Sequence, residues 1–140
     1  MSSADGYFEV RSYRVSTERS AEGRSPARAQ VELWIGGASI VKVASGAGPV
    51  HALDNALRSC LADAFPELDE VRLSDYRVSV VDADRGTRAR VRVLVRATDG
   101  EESWDAGCVS DDIIEASFEA LCSTVVMGIM RSRADARASA

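Results

Sequence analysis

The chain has one histidine, His51, and three cysteines, Cys60, Cys108 and Cys122, with no pair at C-x-x-C spacing. One histidine cannot complete a two-histidine metal site, and these cysteines lack the spacing that anchors zinc, so metal chemistry starts with little support. A basic surplus is also missing. The net charge is −5 and the pI about 4.9, which makes general nucleic-acid binding a poor fit. By sequence, no apolar run approaches the length of a bilayer span, and the polar opening MSSADG has no signal-peptide core. Together with the odd cysteine count, this points to a reducing cytoplasm, where buried thiols behave as small hydrophobes. Cys60 and Cys122 fall in apolar helical patterns and are expected in the core. His51 and Cys60 share a predicted helix, but nine residues of helix rise put them about 13 Å apart, too far for a nucleophile–base hydrogen bond. At 140 residues the chain is also too short for an ordinary (β/α)8 barrel or doubly wound enzyme. A small enzyme, a binding module or part of something larger remains, and a 46% hydrophobic, 28% charged composition suits a globular domain with a core.

What the sequence does contain is a repeat. Tyr13-Arg14-Val15-Ser16 recurs as Tyr76-Arg77-Val78-Ser79 at an offset of 63, and Arg28-Ala29 returns as Arg88-Ala89 at an offset of 60. Val50-x-Ala52 with Ala56-Leu57 matches Ile114-x-Ala116 with Ala120-Leu121 at an offset of 64. Three matches in one order suggest duplication of a unit of about 60 residues. Each unit reads strand, strand, strand, helix. In the first, residues 7–18 carry β-formers, 19–26 form a polar loop, and 29–35 alternate Val31, Leu33 and Ile35 with Gln30, Glu32 and Trp34. Gly36-Gly37 is a hairpin turn into a strand over 39–44. Gly46-Ala47-Gly48-Pro49 then opens a helix with Pro49 at its first position, an apolar stripe of Val50, Leu53, Leu57, Cys60, Leu61 and Ala64, and a stop before Pro66. The second unit predicts a strand over 71–81, a polar turn over 82–86, and Ala89, Val91, Val93 and Val95 alternating with Arg88, Arg90, Arg92, Leu94 and Arg96. Asp99-Gly100 marks a hairpin into a strand over 103–109, and Ser110-Asp111-Asp112 offers caps to a helix over 113–130. That helix is apolar on most sides, which suggests an oligomer interface. Residues 1–6 and 132–140 are expected to be disordered, around units at 7–65 and 70–131.

Four blocks then make a resemblance specific. They are Gly46-Ala47-Gly48-Pro49-Val50-His51-Ala52-Leu53-Asp54-Asn55-Ala56-Leu57, Val71 through Val78, Gly86 through Val93, and Val109 through Ser117. In this order, over roughly residues 7–130, they resemble the C-terminal allosteric (dimerisation) domain of 2-isopropylmalate synthases and citramalate synthases, closer to the citramalate branch. The resemblance implies an α+β fold of duplicated βββα units with pseudo-two-fold symmetry and antiparallel sheets packed on two helices. It also implies a homodimer that binds leucine or isoleucine as feedback inhibitor, with no cofactor. Catalysis in that family belongs to a separate metal- and acetyl-CoA-dependent barrel that nothing here matches. The chain is then a regulatory domain rather than an enzyme, either excised or acting in trans on a synthase barrel. A dimerisation or docking module that has lost the effector is the other reading.

An amino-acid effector needs donors for its carboxylate and an apolar pocket for its side chain. Free N–H groups at a helix start attract anions, and Gly46 and Gly48 would let backbone approach closely; the plain alternative is a tight turn. By resemblance, Gly48, Pro49, Val50 and His51 touch the effector, while Leu73, Tyr76 and Val80, Ala89 and Val91 on the next strand, and Ile113 line the apolar part. The loop departs from the family pattern at Ala47 and His51, where polar groups near the amino-acid head are common. His51 is either a substitute donor or a cap on its own helix. Asp111 and Asp112 could meet the ammonium group or simply cap. Arg88, Arg90, Arg92 and Arg96 form a candidate phosphate stripe, countered by the acidic balance, by Glu18, Glu32 and Asp75 as cross-strand partners, and by the lack of interleaved aromatics.

Overall fold

The structure, a computed structural model, describes residues 3–4 and 6–138 and divides into two compact units, Met1–Pro66 and Glu67–Ala140. In the first, strands β1 (Ser3–Ala4), β2 (Phe8–Ser16), β5 (Ala27–Ile35) and β6 (Ala38–Gly46) form an antiparallel sheet in the order β1-β2-β5-β6. A small hairpin of β3 (Arg19–Ser20) and β4 (Gly23–Arg24) occupies the polar connector expected to be loop. Helix α1 (Pro49–Leu61) packs on β5 and β6. The period-2 pattern of β5 is realised directly: Ala27, Ala29, Val31 and Leu33 are buried, while Arg28, Gln30 and Trp34 are exposed. Gly36 and Gly37 both take positive φ (55° and 84°), as a two-residue hairpin turn with the strands' own twist requires.

The second unit has a sheet of β7 (Arg72–Val80), β8 (Val91–Thr98) and β9 (Ser103–Ser110), with α2 (Ile113–Ala138) lying over β8 and β9. The two sheets are built to one register. An extra residue interrupts the β2–β5 pairing at Arg11, and its counterpart interrupts β7–β8 at Ser74, 63 positions on. Tyr13 pairs with Val31, and Tyr76 with Val95. The fold is α+β, antiparallel sheet on helix, made twice.

The pairing corrects one repeat match. Ser16 opposes Arg28 and Ser79 opposes Arg92, so the counterpart of Arg28 is Arg92 rather than Arg88. Arg88 and Ala89 do not belong to a strand. A 3-10 segment, Ala83–Arg88, with Gly86 at φ 65°, delays β8 to Val91. The hairpin after β8 is closed by the Asp99 N–H on the Glu102 carbonyl (3.2 Å), with the Asp99 carboxylate accepting from the Glu101 and Glu102 N–H groups (2.9 and 2.8 Å). Its turn therefore centres on Gly100-Glu101, one residue beyond the Asp-Gly pair.

The ends differ from expectation where they are described. Ser3–Ala4 pairs with β2 as β1, and α2 continues through Ala138; residues 1, 2, 5, 139 and 140 lie outside the described residues. The extension of α2 has a cause in charge. Arg131 pairs with Glu102 and lies over the Trp104 ring at 5.1 Å, and Arg133 reaches Glu67 at 3.1 Å. By length and composition α2 is also long and apolar enough to cross a membrane, contrary to the reading of the sequence. Its apolar positions Phe118, Leu121, Val125 and Ile129 are buried inside this chain, which accounts for them as core.

Cys60 and Cys122 are buried as expected, and burial raises the pKa of both thiols. Cys60 faces the sheet, its Sγ 3.4 Å from the Val31 carbonyl oxygen, while His51 is exposed, so the two do not pair. Among the described glycines of the first unit, the one at the end of β6 has the least room for a side chain. A Cβ on Gly46 would stand 2.4 Å from the Ala52 nitrogen and 2.8 Å from the His51 carbonyl carbon, backbone that cannot swing aside. Gly46→Ala is therefore expected to destabilise the chain by about 1–3 kcal/mol, read as a lowered urea midpoint with an unchanged m-value.

Candidate functional site

Helix α1 begins without a side-chain cap. Gly48 is the N-cap residue in extended backbone (φ −142°), Pro49 is the first helical residue and has no N–H, and the Ala52 N–H closes the first turn on the Gly48 carbonyl at 3.0 Å. The Val50 and His51 N–H groups thus sit at a helix start where no intrahelical acceptor exists for them. The two loop glycines have different reasons to be there. Gly46 is demanded by the close approach of α1, whereas a Cβ on Gly48 would meet nothing within 4 Å and its φ is open to any residue. His51 is bonded to its own loop and does not cap the N–H groups of α1. Its Nδ1 accepts the Ala47 N–H at 3.0 Å, pinning the loop to the first turn. Asn55 of the same block is structural, donating from Nδ2 to the Ser45 carbonyl at 2.9 Å and tying α1 to β6.

The other candidates lie in the second unit. Tyr76, Val78 and Val80 are on the helix side of β7, opposite Val95, Val93 and Val91. Because α2 lies on β8 and β9, this row is uncovered, and its members are 39%, 39% and 56% exposed. Val91 pairs with both Val80 and Ser110, and α2 begins at Ile113, so Val80, Val91 and Ile113 gather at one end of the sheet. Leu73 is on the same side of β7 but at the other end of the row, beyond Tyr76. It opposes Ala97 on the far side of the Ser74 bulge, seven positions and roughly 20 Å of strand from Val80. Ala89 precedes β8 instead of lying on it, and its N–H is bonded to the Gly86 carbonyl at 3.1 Å. Asp112 caps α2, its Oδ1 accepting the Ile114 and Glu115 N–H groups at 2.9 and 3.3 Å, which decides between cap and ammonium ligand for that oxygen.

Sequence reasoning missed Ser117. It is fully buried on α2 and its hydroxyl lies 2.8 Å from the Tyr76 hydroxyl, the bond that fastens the edge strand's tyrosine to the helix. Nothing in a helical Ala-Ser-Phe run signals such a partner 41 residues away.

The arginine row is not a continuous stripe. Arg92 and Arg96 are on the outer face of β8 with Leu94 between them, and Arg96 makes a two-point pair with Asp105 (2.7 and 3.2 Å) on β9 rather than with Glu18 or Glu32. This hydrogen bond lowers the Asp105 pKa and raises that of Arg96. Asp75 opposes Arg96 across the sheet and is bonded by Arg77 at 2.7 Å. Arg90 is held before β8 by Asp82, whose Oδ1 accepts the Arg90 N–H at 2.6 Å. That backbone bond is the main cause of a lowered Asp82 pKa.

A sheet-and-helix unit made twice, with an uncapped helix start in one copy and an uncovered apolar edge in the other, defines a duplicated α+β domain. Among the described residues no group of three or more His, Cys, Asp or Glu side chains is placed to hold a metal. Residues 1–129 match the LeuA allosteric (dimerisation) domain family, and the chain belongs to it. It is 40% identical over 126 residues to an (R)-citramalate synthase of Streptomyces coelicolor, covering 90% of this chain and 24% of the relative. An (R)-citramalate synthase of Geobacter sulfurreducens is 39% identical over 127 residues, with 90% and 24% covered. A 2-isopropylmalate synthase of Geobacillus thermodenitrificans is 39% identical over 84 residues, with 60% and 15% covered. The chain thus spans about a quarter of the length of the two citramalate synthases, and it corresponds to a regulatory domain of that enzyme family.

Asp82 gives a pH test of the segment that sets Ala89 and Val91. Its folded-state pKa lies below the ordinary 3.8, so its contribution is fully present above that value and is lost as pH falls through the depressed one. Asp82→Ala is expected to lower the urea midpoint at pH 7, with the gap to the parent closing in strongly acid solution. A gap independent of pH would assign the effect to packing.

Proposed function

We propose that the chain is a homodimeric, cytoplasmic effector-binding domain that senses leucine or isoleucine and gives feedback control over a citramalate or 2-isopropylmalate synthase barrel, in the same polypeptide or in trans. One observation carries the reading furthest. The loop before α1 keeps a glycine at position 48 that its own fold does not require, beside N–H groups of Val50 and His51 that the helix itself leaves unbonded. A carboxylate suits that place, because the positive end of the helix and its free donors favour an anion. The uncovered row from Tyr76 to Val80, with Val91 and Ile113 at its end, offers a branched aliphatic side chain the apolar contact it needs. Within the first unit, Gly48, Pro49, Val50 and His51 suit a carboxylate head; within the second, Tyr76, Val80, Val91 and Ile113 suit a branched aliphatic side chain. Control follows if the effector has different affinities for two arrangements of the dimer, since a ligand shifts an equilibrium only by that difference.

A second reading, dimerisation or docking without an effector, draws on His51. Its Nδ1 is committed to the Ala47 N–H, so the polar side chain at the loop serves the loop itself.

Calorimetric titration with leucine, isoleucine and valine, alongside sedimentation, separates the two. The effector reading expects a dimer and saturable heat from at least one of these amino acids. It also expects Gly48→Ala to cost at least about tenfold in affinity while moving the urea midpoint little, since the Cβ enters open space. A dimer giving no heat with any of the three at millimolar concentration overturns the effector reading and favours the second.

A further inference from the structure

We propose that Ser117 is the positioning residue of the effector-binding strip. It holds the Tyr76 side chain by its hydroxyl, so that the ring presents an apolar face beside Val78 and Val80 and its polar end is turned away from the ligand. The inference rests on the effector reading of that strip and names the group that shapes it.

The argument begins with the strand. β7 is an edge strand and α2 packs mainly on β8 and β9, so a side chain on the helix side of β7 stands at the margin of the helix. Tyr76 is 39% exposed, as is Val78, and an aromatic ring on an open edge would sample several rotamers. The 2.8 Å bond to Ser117 removes that freedom at the far end of the ring. Ser117 is well suited to the task, being fully buried on α2 one helical turn beyond Ile113. A buried hydroxyl left without a partner is costly, so the pairing is favoured from both sides. The same bond sets specificity. With the phenolic oxygen occupied, Tyr76 offers a ligand its ring, which matches an aliphatic side chain and gives a polar one nothing to bond. The bond also joins the strip to the first turns of α2, so a ligand that displaces the ring must stretch or break a contact on the helix.

The first repeat supplies an internal contrast. The counterpart of Tyr76 is Tyr13, but the counterpart of Ser117, at the 64-residue offset of the helices, is the fully buried Leu53. A serine at this helical position belongs to the second unit's version of the plan.

The test uses the full chain and three variants: Ser117→Ala, Tyr76→Phe and the double substitution. Two readouts are taken: calorimetric affinity for leucine, isoleucine and valine, and the nuclear Overhauser contact between the 13C-labelled Tyr76 ring and residue 117 in the ligand-free protein. Ser117→Ala removes one buried oxygen and keeps the helix-forming backbone, so it should fold; Tyr76→Phe breaks the same bond from the accessible side. The expected result is loss of the ring contact in Ser117→Ala and a roughly two- to tenfold weaker affinity in each single variant, the size of one net hydrogen bond. The double variant should be no weaker than either single one, because both remove the same interaction. Unchanged affinity in Ser117→Ala, with the parent binding normally, overturns the proposal and leaves the effector reading intact, as does a ring contact that survives the substitution. Additive losses in the double variant also overturn it, since they mean that the two residues act separately. A parent chain silent toward all three amino acids overturns the effector reading and this inference with it, whatever the ring contact shows.

Discussion

The width of one helix against three strands governs the structure. With side chains an α-helix is about 10–12 Å across, and neighbouring strands are about 4.8 Å apart, so one helix covers two strands well and the third poorly. Both units obey this limit. α1 lies on β5 and β6, α2 lies on β8 and β9, and in each case the first long strand of the unit is left at the margin. In the first unit the marginal residues Tyr13 and Val15 are half-buried; in the second, Tyr76, Val78 and Val80 remain exposed. An apolar row on an edge strand is a surface that natural proteins keep for a ligand or partner, or else suppress with charge. Here the row carries valines, and the charges of the second sheet are on its opposite face, where Asp75, Arg77, Arg96 and Asp105 are paired with one another. Exposure of that row follows from how a βββα unit is built.

Glycines separate what the fold needs from what it permits. Gly46 and Gly128 are structural: one admits the backbone of α1, and at the other a Cβ would stand 3.2 Å from the Trp104 ring and 3.3 Å from Val71. Trp104 in turn donates its indole N–H to the Thr124 carbonyl at 2.9 Å, which fastens β9 to the middle of α2. Gly48 answers to neither kind of demand, having ordinary extended backbone and open space where a side chain would go. The two glycines of the Gly46-Ala47-Gly48 loop look alike in sequence, and only the position of Ala52 tells them apart.

Much of the architecture was legible because it is written in local periods. Alternation in β5 and β8, the Gly36-Gly37 turn, the Pro49 helix start and the Tyr-Arg-Val-Ser repeat each state a local geometry, and together they give duplicated βββα units. What was not legible depends on partners distant in sequence or on one residue bending the chain. Arg88-Ala89 matched Arg28-Ala29 as text, yet Gly86 and the grip of Asp82 on the Arg90 N–H delay the strand, and the true counterpart is Arg92. The polar end of α2 reads as a frayed tail until Trp104, Glu102 and Glu67 are in place to hold Arg131 and Arg133. For the candidate site, the sequence supplied Tyr76 and Val80 as neighbours on one face but could not supply Ser117. Leu73 opposes Ala97, in line with Val95 and Val93, so the bulge at Ser74 is what brings it to the same side of β7 as Tyr76, a shift that alternation alone does not reveal.

Duplication also lets the two copies of one plan take different parts. At the helix starts, α1 has no side-chain cap, whereas α2 is closed by Asp112 on the N–H groups of its first turn, so donors free in the first copy are occupied in the second. At the tyrosines the asymmetry runs the other way. The second copy anchors its ring to a buried serine on the helix, and the first has leucine at the matching helical position. A charged cap such as Asp112 occupies the first N–H groups of its helix and disfavours a second anion there, whereas the start of α1 carries no such charge. The copies differ in this way while the fold is retained in both, because the sheet register and the helix that covers two of three strands are the same.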